Sequence, residues 1–142
     1  MHPRRKARIG VLSALYAETL INEEPKKILS DLFEREEFGS KNREFIQALF
    51  MESLSQMEEC DQLIKKNLQN WEFARIALLD KLILRMAITE MLFMHDIPPK
   101  VTISEAIEIA KEYSTSESSS FVNGILDAVF KKSGLKQSAK AS

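Results

Sequence analysis

The sequence is poor in cysteine, glycine and proline, with one Cys, four Gly and four Pro in 142 residues. The lone cysteine, Cys60, excludes an internal disulfide and fits a reducing compartment. So few glycines and prolines argue against an all-β fold with many turns and against a disordered chain. No apolar run is long enough to span a bilayer, and the N-terminus lacks the apolar segment of a secretory signal. The sequence therefore predicts a cytoplasmic globular protein without a membrane span.

Apolar residues recur at helical spacing along the chain, and no segment alternates as a half-buried strand does. With 44% hydrophobic and 29% charged residues, the chain can bury one compact core. These patterns predict an all-α fold of about seven helices in two small packed helical bundles, with no sheet. We expect a single domain over 1–142, with subdomains at about 4–68 and 72–132 and a basic, frayed tail at 133–142.

Start and stop signals divide this pattern into individual helices. Gly39 is the expected C-cap of the second helix, and a third helix is expected to run from Ser40 to Leu68. The helix at 78–94 is apolar almost all round, which predicts that it lies deep between its neighbours. The predicted helices are 4–21, 25–38, 40–68, 78–94 and two more within 97–130.

The stretch from Ile97 to Phe130 carries the strongest helix signals. Thr102 and Glu105 fit a capping box, in which the two side chains satisfy backbone N–H groups at a helix start. A serine-rich run at 116–120 is expected to join this helix to the last one. Gly124 costs the last helix about 1 kcal/mol relative to alanine. Tight packing against another helix is the favoured explanation for a glycine at this position, and close approach of a ligand is the alternative.

Charge is nearly balanced overall but uneven along the chain. The sequence holds 20 basic and 21 acidic residues, and its formal net charge is −1. Every acidic residue lies between residues 9 and 130, whereas the segments 1–8 and 131–142 each hold four Lys or Arg residues and no acidic residue. A polyanion would meet these basic ends before the acidic body. The C-terminal lysines are best explained as charges that keep the protein soluble. The N-terminal cluster is better explained by a function in binding.

The N-terminal cluster of Arg4, Arg5, Lys6 and Arg8 is the constellation with a clear binding mechanism. Arginine forks match phosphate oxygens and stack on bases, and each neutralised phosphate releases counterions. The cluster also lies at the N-terminus of the first helix, where the helix dipole favours anions rather than cations. A sequence that departs from such a local preference often does so for function. RNA binding is one function that this cluster would serve, but basic N-termini are common and such a cluster by itself is weak evidence.

Further RNA contacts are expected near the serine-rich run. Ser118 and Ser120 offer hydroxyls beside a helix N-terminus, which attracts phosphates. Tyr16 and Phe121 are candidates for stacking on bases, although core packing is the favoured role of each because both lie on apolar stripes. For all these residues to act together, the start of the first helix must lie beside the serine-rich run.

The sequence offers no catalytic or metal site. His95 and Asp96 form a His–acid pair, but neither metal binding nor acid–base chemistry finds the further side chains it needs. No P-loop, dinucleotide-binding glycine motif or nucleophile elbow is present. We therefore expect a protein that is not an enzyme and needs no cofactor.

Short motifs form a series along the chain. They are RRKAR at 4–8, ALY at 14–16, LRMAITE at 84–90, IPPKV at 97–101, SEAIEIAK at 104–111 and FVNGILD at 121–127. The last two are the most specific, because both must occur at this spacing. The series extends from residue 4 to residue 127 and resembles the NusB family of bacterial transcription antitermination factors.

The resemblance implies an all-helical fold of two bundles that binds boxA, a short single-stranded RNA element in ribosomal RNA operon leaders. It also implies a heterodimer with NusE, a protein of the small ribosomal subunit. Together with other Nus factors, the pair would join RNA polymerase and suppress premature termination. Some relatives form homodimers, and the sequence does not decide between a monomer and a homodimer.

The resemblance also implies roles for particular residues. The RNA contacts it implies are Arg4, Arg5 and Arg8, with Tyr16 and Phe121 as stacking positions. Asp80 would face the protein partner. Two positions depart from the family pattern and predict weaker contacts. Ser120 stands where relatives often have a basic residue, and Pro99 stands where another residue is common.

Two alternative functions stay open. A NusB-like domain also occurs at the N-terminus of some RNA cytosine methyltransferases, where an α/β cofactor domain follows it. The sequence ends at residue 142 without such a domain, which makes this the weaker alternative. The chain could also serve as a protein-interaction module that binds no RNA.

Overall fold

The structure, a computed structural model, describes residues 2–69 and 72–135 of the chain. These residues form seven α-helices and one 3-10 turn, with no strand among them, so the predicted all-α class is confirmed. None of the described helices has the length and apolar character needed to cross a membrane. The predicted tail lies outside the described residues from position 136 onwards. The helices are α1 (Pro3–Ile21), α2 (Pro25–Arg35), α3 (Ser40–Ser55), α4 (Met57–Lys66), α5 (Leu78–Phe93), α6 (Pro99–Tyr113) and α7 (Ser116–Ser133), and the 3-10 turn spans Phe73–Arg75.

The chain divides between Ser55 and Gln56 into two compact units, earlier than the seam expected near 67–72. In the first unit, α1 packs against both α2 and α3. Gly10 lets α1 lie close to the segment that follows α2, because a Cβ at this position would be 3.2 Å from Cζ of Phe38. A larger side chain would push that ring away.

In the second unit, α5 packs against α4, α6 and α7. Most of its residues are buried, as its apolar character on all sides predicted. Arg85 joins α5 to α4: its Nε donates to Asp61 Oδ1 at 2.7 Å and its Nη2 donates to Oδ2 at 3.0 Å. This two-pronged geometry fixes the direction of both side chains, so the pair aligns the two helices.

Cys60 on α4 is a core residue of the second unit. Its Sγ lies 3.4 Å from Thr89 Oγ1. Burial raises the pKa of the Cys60 thiol, although the hydrogen bond to Thr89 acts in the opposite direction. Because the thiolate is the reactive form, a buried thiol with a raised pKa is a poor nucleophile. Cys60 therefore contributes packing rather than chemistry.

The third predicted helix is two helices in the structure. At Gln56 the backbone leaves the helical conformation (φ −100°, ψ 13°), and the Cys60 N–H then donates to the Gln56 carbonyl at 2.9 Å to begin α4. Apolar residues keep their helical spacing through this break, so the sequence did not reveal it. The prediction for Gly39 is also wrong: α2 ends at Arg35, and the Gly39 carbonyl instead accepts from the Arg43 N–H at the start of α3.

The predicted capping box of Thr102 and Glu105 is also wrong. α6 begins at Pro99, since proline suits a first helical position where no N–H partner is needed. Thr102 therefore lies inside the helix, where its hydroxyl donates to Glu90 Oε2 at 2.7 Å. Both side chains are about 1% exposed. The hydroxyl links α6 to α5 rather than closing a helix end.

Candidate nucleic-acid interface

The start of α1 presents its basic residues from a fixed position in the first unit. The carbon at the centre of the Arg4 guanidinium lies 4.1 Å from the centre of the Phe45 ring. The backbone N–H of Arg4 donates to His2 Nδ1 at 3.2 Å, so the His2 side chain caps the helix. Stacking on an aromatic face leaves the edge of a guanidinium able to meet phosphate oxygens. Arg4 and Arg5 are both half-exposed.

Lys6 and Arg8 differ in what they can offer to a ligand. Lys6 Nζ lies 4.9 Å from the centre of the Phe38 ring and donates to the Glu37 carbonyl at 2.8 Å, and the side chain is half-exposed. Arg8 is 3% exposed, with its guanidinium 5.4 Å from the Phe45 ring centre. A buried guanidinium cannot form an open fork with phosphate, so the predicted cluster narrows to its first three members.

Tyr16 lies on the exposed side of α1, which corrects the expectation that it belongs to the core. Its side chain is 45% exposed, and Leu20 and Ile21 are 58% and 64% exposed. The apolar stripe of α1 is wider than the surface that α2 and α3 cover. Three large apolar side chains at the end of one helix form a surface that can meet a base or another protein.

The serine-rich run is the first part of α7 rather than a joint. Thr115 caps the helix, because its Oγ1 accepts from the Ser118 N–H at 3.0 Å. Ser119 is buried and bonds to the Ser116 carbonyl, whereas Ser120 is exposed. Of the two serines predicted to contact RNA, Ser120 has an exposed hydroxyl that is open to a ligand. The hydroxyl of Ser118 already forms hydrogen bonds within the protein.

Asp80 and Ser118 meet, although the sequence assigned them to different ligands. Ser118 Oγ donates to Asp80 Oδ2 at 2.8 Å. Asp80 is 6% exposed, and the contact with a protein partner that the resemblance implied stays a prediction. Its Oδ1 is buried and makes no hydrogen bond to any of the described residues. A buried carboxylate oxygen without a donor is costly.

Phe121 is half-buried and lies at the boundary of two depressions in the second unit. The smaller one has a volume of about 200 Å³ and is shared with Asp80, Ser118 and Arg75. The larger one is a groove of about 630 Å³ along α7. Three predicted site residues, Asp80, Ser118 and Phe121, therefore surround one cavity, although their sequence positions did not suggest it.

Gly124 lines the larger groove, and the packing expected around it is not there. A Cβ on this residue would have no heavy atom of the described residues within 4 Å, apart from its own helix neighbours. Tight packing against another helix therefore does not explain the glycine. The remaining reason from the sequence, close approach of a ligand, is the one that the geometry favours.

Replacing Gly124 by alanine is expected to raise the free energy of unfolding by up to about 1 kcal/mol, because alanine costs a helix less backbone entropy. The melting temperature should rise by about 4 °C for a chain of this size. Thermal unfolding followed by circular dichroism measures this shift. Gly10→Ala is the matched control and should gain less or lose stability, because its Cβ would meet Phe38 at 3.2 Å. A lower melting temperature for Gly124→Ala would restore the tight-packing interpretation.

Two lysines of the larger groove were not predicted as site residues. Lys66 at the end of α4 and Lys132 at the end of α7 both line it and are exposed. Lysines in a last helical turn are common because they complement the helix dipole, so their positions alone carried no signal.

Among the described residues, no group of three or more His, Cys, Asp or Glu side chains could hold a metal ion.

Comparisons with known proteins agree with the fold and the motifs. A family model described as the NusB family matches residues 2–131. The chain belongs to the NusB family. A relative named transcription antitermination protein NusB, from Salinibacter ruber, is 45% identical over 130 residues, which cover 91% of this chain and 81% of the relative. The resemblance drawn from the motifs is confirmed, and relatives with this name support the prediction that the protein is not an enzyme.

Two solved structures of NusB proteins have the same fold. NusB from T. maritima has a TM-score of 0.82 at 37% identity, and the match covers 92% of each chain. A second structure holds the antitermination factors NusB and NusE in complex with double-stranded RNA. It has a TM-score of 0.83 at 25% identity, and the match covers 93% of this chain and 98% of that one.

Proposed function

We propose that the protein is a transcription antitermination factor that binds boxA-type RNA of ribosomal RNA operon leaders together with NusE. The observation that carries this proposal is the family match over residues 2–131. A relative in the same family is named for antitermination, and another was solved with NusE and RNA. The factor would act in the cytoplasm, where it would join other Nus factors on RNA polymerase.

The start of α1 supplies the electrostatic part of the proposed RNA site. Arg4, Arg5 and Lys6 carry three positive charges within one turn, and α1 has no acidic residue in its first turn. Contacts with phosphates supply affinity, and release of counterions makes that affinity fall with salt. The aromatic rings beneath Arg4 and Lys6 reduce the entropy that these side chains lose on binding.

The cavity at Asp80 supplies a stacking surface. Phe121 offers its ring to a base, and Asp80 and Ser118 line the cavity beside it. Ser118 holds the carboxylate in place through its 2.8 Å hydrogen bond.

A protein-interaction module is the second candidate function, and the exposed end of α1 favours it. Tyr16, Leu20 and Ile21 present apolar surface that water solvates poorly. NusE or a second copy of the chain could cover this surface. Under this alternative, the protein would bind its partner without needing RNA.

Titration of labelled RNA separates these functions. Fluorescence anisotropy is measured with boxA RNA and with a scrambled RNA of equal composition, each with and without NusE, at several salt concentrations. The proposed function requires tighter binding of boxA, a gain when NusE is present, and an affinity that falls with salt. Equal binding of both RNAs would overturn the boxA specificity. Binding of NusE without binding of either RNA would establish the interaction module.

A further inference from the structure

The larger groove lies where α4 and α7 end beside each other. Lys132 Nζ donates to Asn67 Oδ1 at 2.7 Å, which ties the last turn of α7 to the segment after α4. From Ser120 to Lys132, the groove follows α7 for about 18 Å at about 1.5 Å per residue. About five stacked nucleotides cover this distance at about 3.4 Å each. The groove is therefore long enough for a short strand of nucleic acid.

The lining of the groove changes along its length. Phe121 and Ser120 stand at one end, and Lys66 and Lys132 stand at the other. Small and apolar side chains lie between them on α7, and none of the described residues that line the groove is acidic. The nearest acid in sequence to this part of α7, Asp127, is paired with Lys131 at 3.0 Å. The groove thus joins an aromatic ring to two cations along an uncharged floor.

Gly124 lies in this floor and indicates that something occupies the groove. Its open Cβ position means that packing within the chain does not require a glycine there. A helix interior that keeps glycine without such a need gives up about 1 kcal/mol. Close approach of a ligand backbone or base to the helix would explain why that stability is given up.

Resting on the proposed function, we infer that single-stranded RNA leaving Phe121 continues along α7 and ends with its phosphates at Lys66 and Lys132. Bases would stack over Gly124 and Ala128, where small side chains leave room. The positive lining favours a polyanion over an ordinary peptide. A second copy of the chain in a symmetric contact would bring the same lysines together and be repelled.

The test compares two RNAs and three variants of the full chain. One RNA is boxA alone, and the other is boxA extended by about five uridines at its 5′ or its 3′ end, which matches the groove length. Lys66→Ala with Lys132→Ala removes the two cations, and Gly124→Leu fills the floor at a position where an added Cβ meets no heavy atom within 4 Å. Lys131→Ala is the matched control, because this neighbouring lysine is exposed but does not line the groove.

The parent protein should bind one of the extended RNAs about tenfold more tightly than boxA alone at about 0.15 M salt. The lysine pair variant should lose that gain, and its salt slope on the extended RNA should fall by about 1.4, at about 0.7 per phosphate contact. Gly124→Leu should lose the same gain, whereas Lys131→Ala should keep it. All variants should bind boxA alone within about twofold of the parent.

Different failures have different meanings. If the parent fails to bind boxA alone, the proposed function is wrong. If it binds boxA but neither extension adds affinity, or if the lysine pair weakens both RNAs equally, the RNA path along α7 is wrong. If Gly124→Leu changes the oligomeric state measured by sedimentation without RNA, the groove belongs to a second copy and the inference is overturned.

Discussion

Replacing Arg4 and Arg5 by glutamate is expected to weaken binding of boxA RNA about 100-fold at about 0.15 M salt while α1 stays helical. Reversing two charges removes two phosphate contacts and adds repulsion, and it should reduce the salt slope by about 0.7 per contact. Glutamate near a helix N-terminus is favoured by the dipole, so the helix itself does not need these cations. Anisotropy of labelled RNA at several salt concentrations measures the effect.

Lys26→Glu with Lys27→Glu is the matched control for this variant. Both lysines are exposed in the first turn of α2, so the control makes the same change in charge within the same unit. It should change RNA affinity by less than about threefold, since exposed charges more than about 10 Å away are screened. Equal losses in the two variants would show that net charge, rather than the start of α1, drives binding.

The stability of the arginine variant needs its own measurement, because Arg4 and Arg5 both have interaction partners in the structure. Loss of the stacking between Arg4 and Phe45 should cost about 1 kcal/mol. A melting temperature lower by a few degrees would fit that cost. Loss of the helical circular dichroism signal at 25 °C would instead show that the cluster is structural.

Replacing Thr102 by valine is expected to lower the melting temperature by about 8 °C. Valine keeps the shape of threonine but removes the hydroxyl that donates to Glu90 Oε2 at 2.7 Å. A hydrogen bond to a carboxylate contributes about 1.5–3 kcal/mol, and the valine variant loses this contribution. About 3–4 °C per kcal/mol applies to a chain of this size. Thermal unfolding followed by circular dichroism measures the change.

A double-mutant cycle distinguishes this buried contact from the capping box. Thr102→Val should couple to Glu90→Gln by more than about 1 kcal/mol, because the two side chains are in contact. Its coupling to Glu105→Gln should stay below about 0.5 kcal/mol. Thr102→Ser, which keeps the hydroxyl, should lose only about 1 kcal/mol for the methyl group. Strong coupling to Glu105 alone would instead support the capping box, with Thr102 at the start of the helix.

The sequence predicted a helix correctly wherever the start signal and the apolar spacing lie within the helix itself. Proline at the first position and apolar spacing set α2, and the nearly uniform apolar character of α5 predicted its burial. The break at Gln56 was missed because a change in two dihedral angles leaves the apolar spacing intact. The start of α6 was missed because both proline and threonine are good start signals, and sequence alone does not decide which one is used.

The candidate site was predicted only in part, for a different reason. Arg4 and Arg5 could be named because charge is a property of the residue itself. Ser118 and Asp80 were both named, but the 2.8 Å hydrogen bond between them joins positions 38 residues apart. The groove at Lys66 and Lys132 likewise exists only once α4 and α7 pack together.

Local patterns of residues were sufficient to predict the all-α class, the positive charge at the start of α1 and membership of the NusB family. Periodicity, charge and motif order are carried by neighbouring residues, so they can be recognised before folding. The packing of the helices was needed to establish that Arg8 is buried, that Tyr16 is exposed and that Gly124 faces open space. Exposure and hydrogen-bond partners depend on which distant segments come together, and no local pattern contains that information.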